Sequence, residues 1–207
     1  MKLNTKEQAI IPIAAFTASG DLTKLKASIN QGLNLGLSII EIREVLQQMY
    51  AYAGFPRSLN GLGTLLETVT ERKVQGLIDD LGIEASPFPE GRTSFELGSE
   101  NQTQLVGRPV TGDLFEFSPE IDRYLKAHLF GDIFQRDILS WKVRELATIA
   151  ALANIHGVNS QLRSHYLISM NNGVTSEQLK EFIQILQKEC GETIALNAKR
   201  VLEEALA

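Results

Sequence analysis

Apolar positions along the chain recur at the spacing of helix faces, and strand-like alternation is weak throughout. Over 139–156 the side chains Val143, Leu146, Ala147, Ala150 and Ala151 share one stripe, which predicts a helix. A second helix is predicted over 159–171, a third over 176–190, and a fourth after Gly191. The break between the second and third is explicit. Gly173 suits the left-handed position that ends a helix, and Thr175-x-x-Gln178 is a capping box that opens the next.

The pattern occurs twice. Leu33-Asn34-Leu35-Gly36-Leu37-Ser38 runs parallel to Met170-Asn171-Asn172-Gly173-Val174-Thr175, an offset of 137 residues. The register holds through Glu44 and Glu181, Gln47 and Gln184, Gly54 and Gly191, and Leu59-Asn60 and Leu196-Asn197. Upstream the offset is 136, which implies a one-residue indel. There Ile13-Ala14-Ala15-Phe16 matches Ile149-Ala150-Ala151-Leu152, and Lys6 matches Lys142. The first copy has its own terminating Gly36 and its own capping box, Ser38-x-x-Glu41. Two helical units result, over 3–79 and 139–207. A unit of that size has a marginal core, so the two are expected to pack as one body and to oligomerise.

Between them the composition changes. Ser86-Pro87-Phe88-Pro89, Gly91, Gly98, Gly107-Arg108-Pro109 and Gly112 mark a crossing segment with room for a short helix near 92–105. Ser118-Pro119-Glu120 then reads as a helix start, with Ser at the N-cap and Pro in the first turn. The expected fold class is therefore all-α, two tandem helical repeats packed as one body. The chain divides into a first repeat at 1–79, a linker at 80–116, and a second repeat with its leading helix at 117–207.

Composition is that of an ordinary globular chain of 207 residues, with 43% hydrophobic and 22% charged residues. A net charge of −5 without a clustered basic stretch argues against nucleic-acid binding. Cys190 is the sole cysteine, so no intrachain disulfide forms, and a reducing compartment is expected. Met1 to Gln8 is polar and unlike a signal peptide. The longest apolar run, Ala9 to Phe16, is far short of the roughly 20 residues of a membrane-spanning helix. A cytoplasmic protein with no membrane partner is expected.

Three groups of residues carry a family resemblance. Phe134-x-Arg136-Asp137-x-Leu139 with Arg144-Glu145-Leu146-Ala147-Thr148-Ile149-Ala150-Ala151-Leu152 resembles the opening helix of carboxymuconolactone decarboxylase-like domains. Leu162-Arg163-Ser164-His165, with Gly173 eight residues after the His, resembles their His-containing helix and turn. Tyr50-Ala51-Tyr52-Ala53-Gly54-Phe55-Pro56-Arg57 resembles their tyrosine-Ala-Gly-Phe-Pro segment. The resemblance implies an all-α fold of the alkyl hydroperoxidase D-like type and ring assemblies, which a tandem chain would reach with three copies. One branch of the family decarboxylates a lactone acid with neither metal nor organic cofactor. The other reduces peroxides with a Cys-x-x-Cys pair. Here the corresponding hairpin reads Ile155-His156-Gly157-Val158-Asn159-Ser160-Gln161, without cysteine, and disulfide exchange needs two thiols.

The candidate catalytic residues are His165, a general acid/base candidate because imidazole is the side chain suited to proton transfer near neutral pH, and Glu145 on the preceding helix. A hairpin turning near 157–159 would stagger the two by roughly 10 Å at ~1.5 Å per residue, leaving substrate or water to bridge them. A surface Glu145 paired with Arg144 is the plainer alternative. The first copy has Ala9 and Ser28 at these positions, whereas Tyr52 and Arg57 of the first copy become Glu189 and Ile194 in the second. The copies look specialised: the second supplies acid/base groups, and the first a pocket wall with Tyr52 and Arg57, a cation suited to a substrate carboxylate. Arg136 is a further substrate-binding candidate, with Asp132 and Asp137 as ordinary ion-pair partners. His128 and His156 read as linker packing and a solvated turn, and Cys190 as a small buried thiol. No metal-ligand spacing is present and no cofactor is expected.

The resulting expectation is a cofactor-independent decarboxylase or lyase acting on a small carboxylated, lactone-type substrate. The alternatives are an alkyl hydroperoxidase-like antioxidant (peroxiredoxin) activity using Cys190 and a non-catalytic helical-ring binding protein.

Overall fold

The computed structural model describes residues 2–207. Met1, the first residue of the polar stretch noted above, lies outside the described residues. The core is organised on two helices, α1 (Thr5–Ser19) and α8 (Trp141–Ala153), the opening helices of the two repeats. They pack on each other. Both are apolar nearly all round: α1 is buried from Ala9 to Ala18 and α8 from Arg144 to Ala153. A helix with no polar face belongs inside. Alanines at 9, 14, 15 and 18 in α1 and at 147, 150, 151 and 153 in α8 let the two backbones approach.

Each opening helix folds back into a second: α2 (Leu22–Asn34) on α1, and α9 (Asn159–Asn171) on α8. Both end in the same way. Leu37 N–H reaches Gly32 O and Gly36 N–H reaches Leu33 O; Val174 N–H reaches Ser169 O and Gly173 N–H reaches Met170 O. These are paired Schellman caps, made possible by positive φ at Gly36 (89°) and Gly173 (91°). The next helices, α3 (Ile39–Gln48) and α10 (Ser176–Cys190), open with the two expected capping boxes. Each repeat closes with a fourth helix, α4 (Tyr50–Val74) or α11 (Glu192–Leu206). The fold is all-α, with eleven α-helices, one π-helical segment and no strand among the described residues.

The crossing segment does two jobs. Its first part feeds the carbonyls of Asp80 and Leu81 to the free N–H groups of Ile39 and Ile40 at the start of α3. Its second part builds a separate small core. There α5 (Ser94–Val106) packs on a π-helical segment (Leu125–Ile133), after two short helices, α6 (Asp113–Phe117) and α7 (Pro119–Tyr124). The approach is too close for any side chain. A Cβ at Gly98 would lie 1.6 Å from the Lys126 carbonyl oxygen, and one at Gly131 2.0 Å from that of Ser94. The helix expected from Ser118-Pro119 is thus split in two. Ser118 makes no side-chain cap, and the i→i+5 bond from Phe134 N–H to Leu129 O marks the widened turn. Leu105, Leu129, Phe130, Ile133 and Phe134 form this second core. No helix among the described residues is long and apolar enough to cross a membrane.

Candidate functional site

Between the main core and the second one lies a cavity of about 580 Å³. His165 from α9 and Tyr52 from α4 contribute to one side, and the end of the crossing segment together with the helices that lead into the second repeat, Gln102 to Phe130, roofs the other. Behind His165, Glu145 is fully buried in α8, and its Oε2 lies 2.8 Å from His165 Nδ1.

The roughly 10 Å stagger expected from sequence is therefore corrected to direct contact. The reason is where α8 stops. It ends at Ala153, not 156, where Asn154 bonds back to the Ala150 carbonyl, and residues 154–158 form the turn. Glu145 then lies ~12 Å before its helix end and His165 ~9 Å after the start of its own, at ~1.5 Å per residue, so the two are nearly level. Nor does Glu145 pair with Arg144. With Oε2 on His165, its Oε1 has no hydrogen-bond partner among the described residues.

A buried carboxylate requires compensation, and here the imidazole supplies it. An ionised Glu145 accepts from Nδ1–H, which fixes the tautomer and leaves Nε2 as the nitrogen free for chemistry. The Tyr52 ring stands edge-on to His165, with centroids 5.8 Å apart and an interplanar angle of 82°. Its hydroxyl is buried without a partner among the described residues. Burial, and then the charge of Glu145, push this phenol well above its ordinary value, with Thr148 and Arg144 pulling the other way. Tyr52 therefore stays a hydrogen-bond donor at neutral pH.

The two candidate arginines are not brought to this cavity. Gly54 (φ 82°, ψ 162°) breaks α4 just after Tyr52. Beyond the break Arg57 is exposed and donates from Nη1 to the Ser19 carbonyl at 2.7 Å, closing the end of α1. Arg136 places its Nε 3.0 and 3.1 Å from the two oxygens of Glu44 and lines a separate surface hollow with Gln135 and Asp137. Its partner is thus Glu44 rather than the Asp132 or Asp137 expected from sequence. The buried Arg144 bonds the same Glu44 at 2.6 Å and Gln48 at 3.0 Å. Gln48 continues to Thr148 at 2.9 Å.

His128 sits on the π-helical segment, bonded to Asp132 at 2.7 Å and to the Tyr50 hydroxyl. His156 is exposed in the α8–α9 turn. Cys190 is half-buried, and burial pushes its thiol up to about 11, the wrong direction for a neutral-pH nucleophile.

Five polar residues of the cavity, Gln102, Arg108, Thr111, Gln161 and Ser164, were not singled out from the sequence. Arg108 is exposed at the mouth, in a stretch whose Gly107 and Pro109 read only as loop markers. Gln102, on α5, is 4% exposed. Neither side chain makes a hydrogen bond or ion pair among the described residues. The one available signal was negative: an Arg between Gly and Pro with no acidic residue within four positions.

Comparison with known proteins gives the following. The model described as the carboxymuconolactone decarboxylase family matches residues 1–67 and 119–204. A 4-carboxymuconolactone decarboxylase of Acinetobacter baylyi is 30% identical over 93 residues, which are 43% of this chain and 69% of that protein. Peroxisomal protein 2 of Schizosaccharomyces pombe is 25% identical over 188 residues, 88% of this chain and 86% of that one. Peroxisomal protein 2 of Saccharomyces cerevisiae is 30% identical over 177 residues, 73% of this chain and 62% of that one.

Proposed function

The chain belongs to the carboxymuconolactone decarboxylase family, and on that premise we propose that it is a decarboxylase-like enzyme, independent of cofactors, in which His165 moves the proton and Glu145 holds it. Family membership and the Acinetobacter relative support decarboxylase-like chemistry in general. The observation that carries the specific reading is the 2.8 Å bond between a fully buried carboxylate and the one imidazole on the cavity wall.

The steps follow from these groups. The bond from carbon to the carboxylate of a bound substrate breaks, and its electron pair moves onto an adjacent carbonyl or conjugated system. CO2 leaves. The resulting enolate takes a proton on carbon from Nε2 of the His165 imidazolium. Glu145 orients the ring through Nδ1 and stabilises the imidazolium before transfer. Tyr52 packs its ring edge-on against the imidazole and helps hold it in place, its hydroxyl being buried on the core side. Neither Arg57 nor Arg136 has a part in these steps.

Purified protein should release CO2 from β-keto or conjugated carboxylates, and His165→Ala should lower that rate about 10²–10⁴-fold. Release untouched by His165→Ala would remove the mechanism. The same proposal includes a ring of three chains, checked by sedimentation velocity. It also includes a cytoplasmic setting, checked by fluorescence localisation against the peroxisomal one in two relatives' names.

A further inference from the structure

Resting on the reading of this cavity as the reaction site, we propose that its substrate is an amphiphilic monoanion: a carboxylate headgroup received by Arg108 and Gln102, carried on an aliphatic or aryl body. Apart from His165, Arg108 is the one side chain on the cavity wall that can carry a charge. It has no acidic partner among the described residues, so its guanidinium is available to grip a carboxylate through two parallel N–H bonds.

Gln102 is the second observation. The residue is 4% exposed overall and makes no hydrogen bond among the described residues, yet its amide atoms are not among the fully buried unpartnered ones, so the amide keeps access to open space. Its place on the cavity wall makes that amide available to a polar ligand atom.

The remaining walls define the rest of the molecule. Val106, Val110, Phe115, Leu129 and Phe130 present hydrocarbon, with only the uncharged Thr111, Gln161 and Ser164 among them, and Leu114 continues the apolar surface outward at 67% exposure. A second or third carboxylate would be desolvated against these side chains with no second guanidinium or ammonium to pair with, which is unfavourable. An apolar body is favoured in proportion to the area it removes from water. The volume, about 580 Å³, lies within the range of sites that enclose drug-sized ligands, and the exposed Leu114 and Ile121 at the rim let a longer chain emerge.

The kinetic consequence is specific. Arg108 pairs with the carboxylate that departs as CO2, so its contact is strongest in the ground state. Arg108→Ala should therefore raise KM without lowering kcat, the opposite of His165→Ala.

The test is calorimetric titration of the purified chain with decanoate, adipate and decan-1-ol. Decanoate should bind in a saturable one-to-one manner and more tightly than adipate. Arg108→Ala should weaken decanoate by about tenfold or more and leave decan-1-ol unchanged, and Gln102→Leu should weaken decanoate several-fold. Arg108 is exposed, so this variant should fold; a retained circular dichroism spectrum checks that. Adipate binding as tightly as decanoate, or decanoate affinity unchanged in Arg108→Ala, would overturn the proposal. His165→Ala separates the two readings. If it binds decanoate normally but keeps full CO2 release, the acid/base mechanism falls and the ligand class stands.

Discussion

The two repeats enclose two related hollows with one backbone plan. In one, α9 and α4 bring His165 and Tyr52 to a cavity of about 580 Å³, with Glu145 behind the imidazole. In the other, α1, α2 and α10 place Ala9, Ser28 and Glu189 at the matching positions around a space of about 140 Å³. Lys188 lies beside Glu189 and pairs with it at 2.8 Å. The difference teaches what the fold requires and what the chemistry requires. Helix packing needs only small or apolar side chains at 9 and 145 and at 28 and 165. The buried acid/base pair is an addition in one copy. So is the roof, which the end of the crossing segment and the helices after it build over the second repeat's site.

The interface between the repeats shows the same asymmetry. Glu44 sits between Arg144 and Arg136, with Arg144 fully buried. Its counterpart Glu181 faces Gln8 where Arg144 would be, and accepts from the Leu3 N–H at 2.8 Å and Gln8 Nε2 at 3.3 Å. One half of the molecule carries a buried charge network and the other a half-buried carboxylate held by neutral donors.

Five variants sharpen or break this comparison. The largest effect is expected at the dyad. Glu145→Gln should lower turnover about 10²-fold by withdrawing the charge that stabilises the imidazolium, read as initial rate with unchanged circular dichroism. Next, Glu44→Ala should destabilise the fold by about 3–5 kcal/mol, because it strands a buried guanidinium. Glu181→Ala should cost only about 1 kcal/mol. Urea denaturation measures both, and equal costs would erase the asymmetry.

A smaller effect is expected at Asp79 of the first repeat. Arg72 bonds it at 2.7 Å and holds its carboxyl below the usual carboxylate range, against the opposing effect of burial. A depressed folded-state value means stability that is full above about pH 4 and lost as pH falls through the lower folded-state value. Asp79→Asn should therefore cost about 2 kcal/mol at pH 7, with the gap from wild type closing in acid. The smallest effect is expected from Ala9→Glu with Ser28→His, placed in a His165→Ala background. It installs a dyad without a roof and should restore no turnover; restored turnover would show that the roof is dispensable.

How much of this was legible in sequence depended on the kind of signal. The helices predicted at 159–171 and 176–190 coincide with Asn159–Asn171 and Ser176–Cys190, because glycine and capping residues mark their junction locally. The helix predicted at 139–156 overran both ends. Ser140 caps its start, and Asn154 turns back on Ala150 at its end, signals that the apolar stripe hides. His165 and Glu145 stood out because the repeats differ there, yet their contact depended on the length of one turn. Arg57 could be recognised as a cation, but its direction is set by the positive φ of Gly54. Arg108 and Gln102 belong to a segment whose position is fixed by the tertiary approach of Gly98 and Gly131, and no local periodicity reports such a contact.

The central claim, that a positioned imidazole protonates carbon in one repeat alone, is tested most directly by the fate of a solvent deuteron. Turnover of an aliphatic β-keto carboxylate with a substituted α-carbon in D2O should place one deuterium on a single face of that carbon, and His165→Ala should abolish the stereochemical preference along with the rate. Equal labelling of both faces by the unaltered protein would mean that bulk water delivers the proton, and would contradict the account.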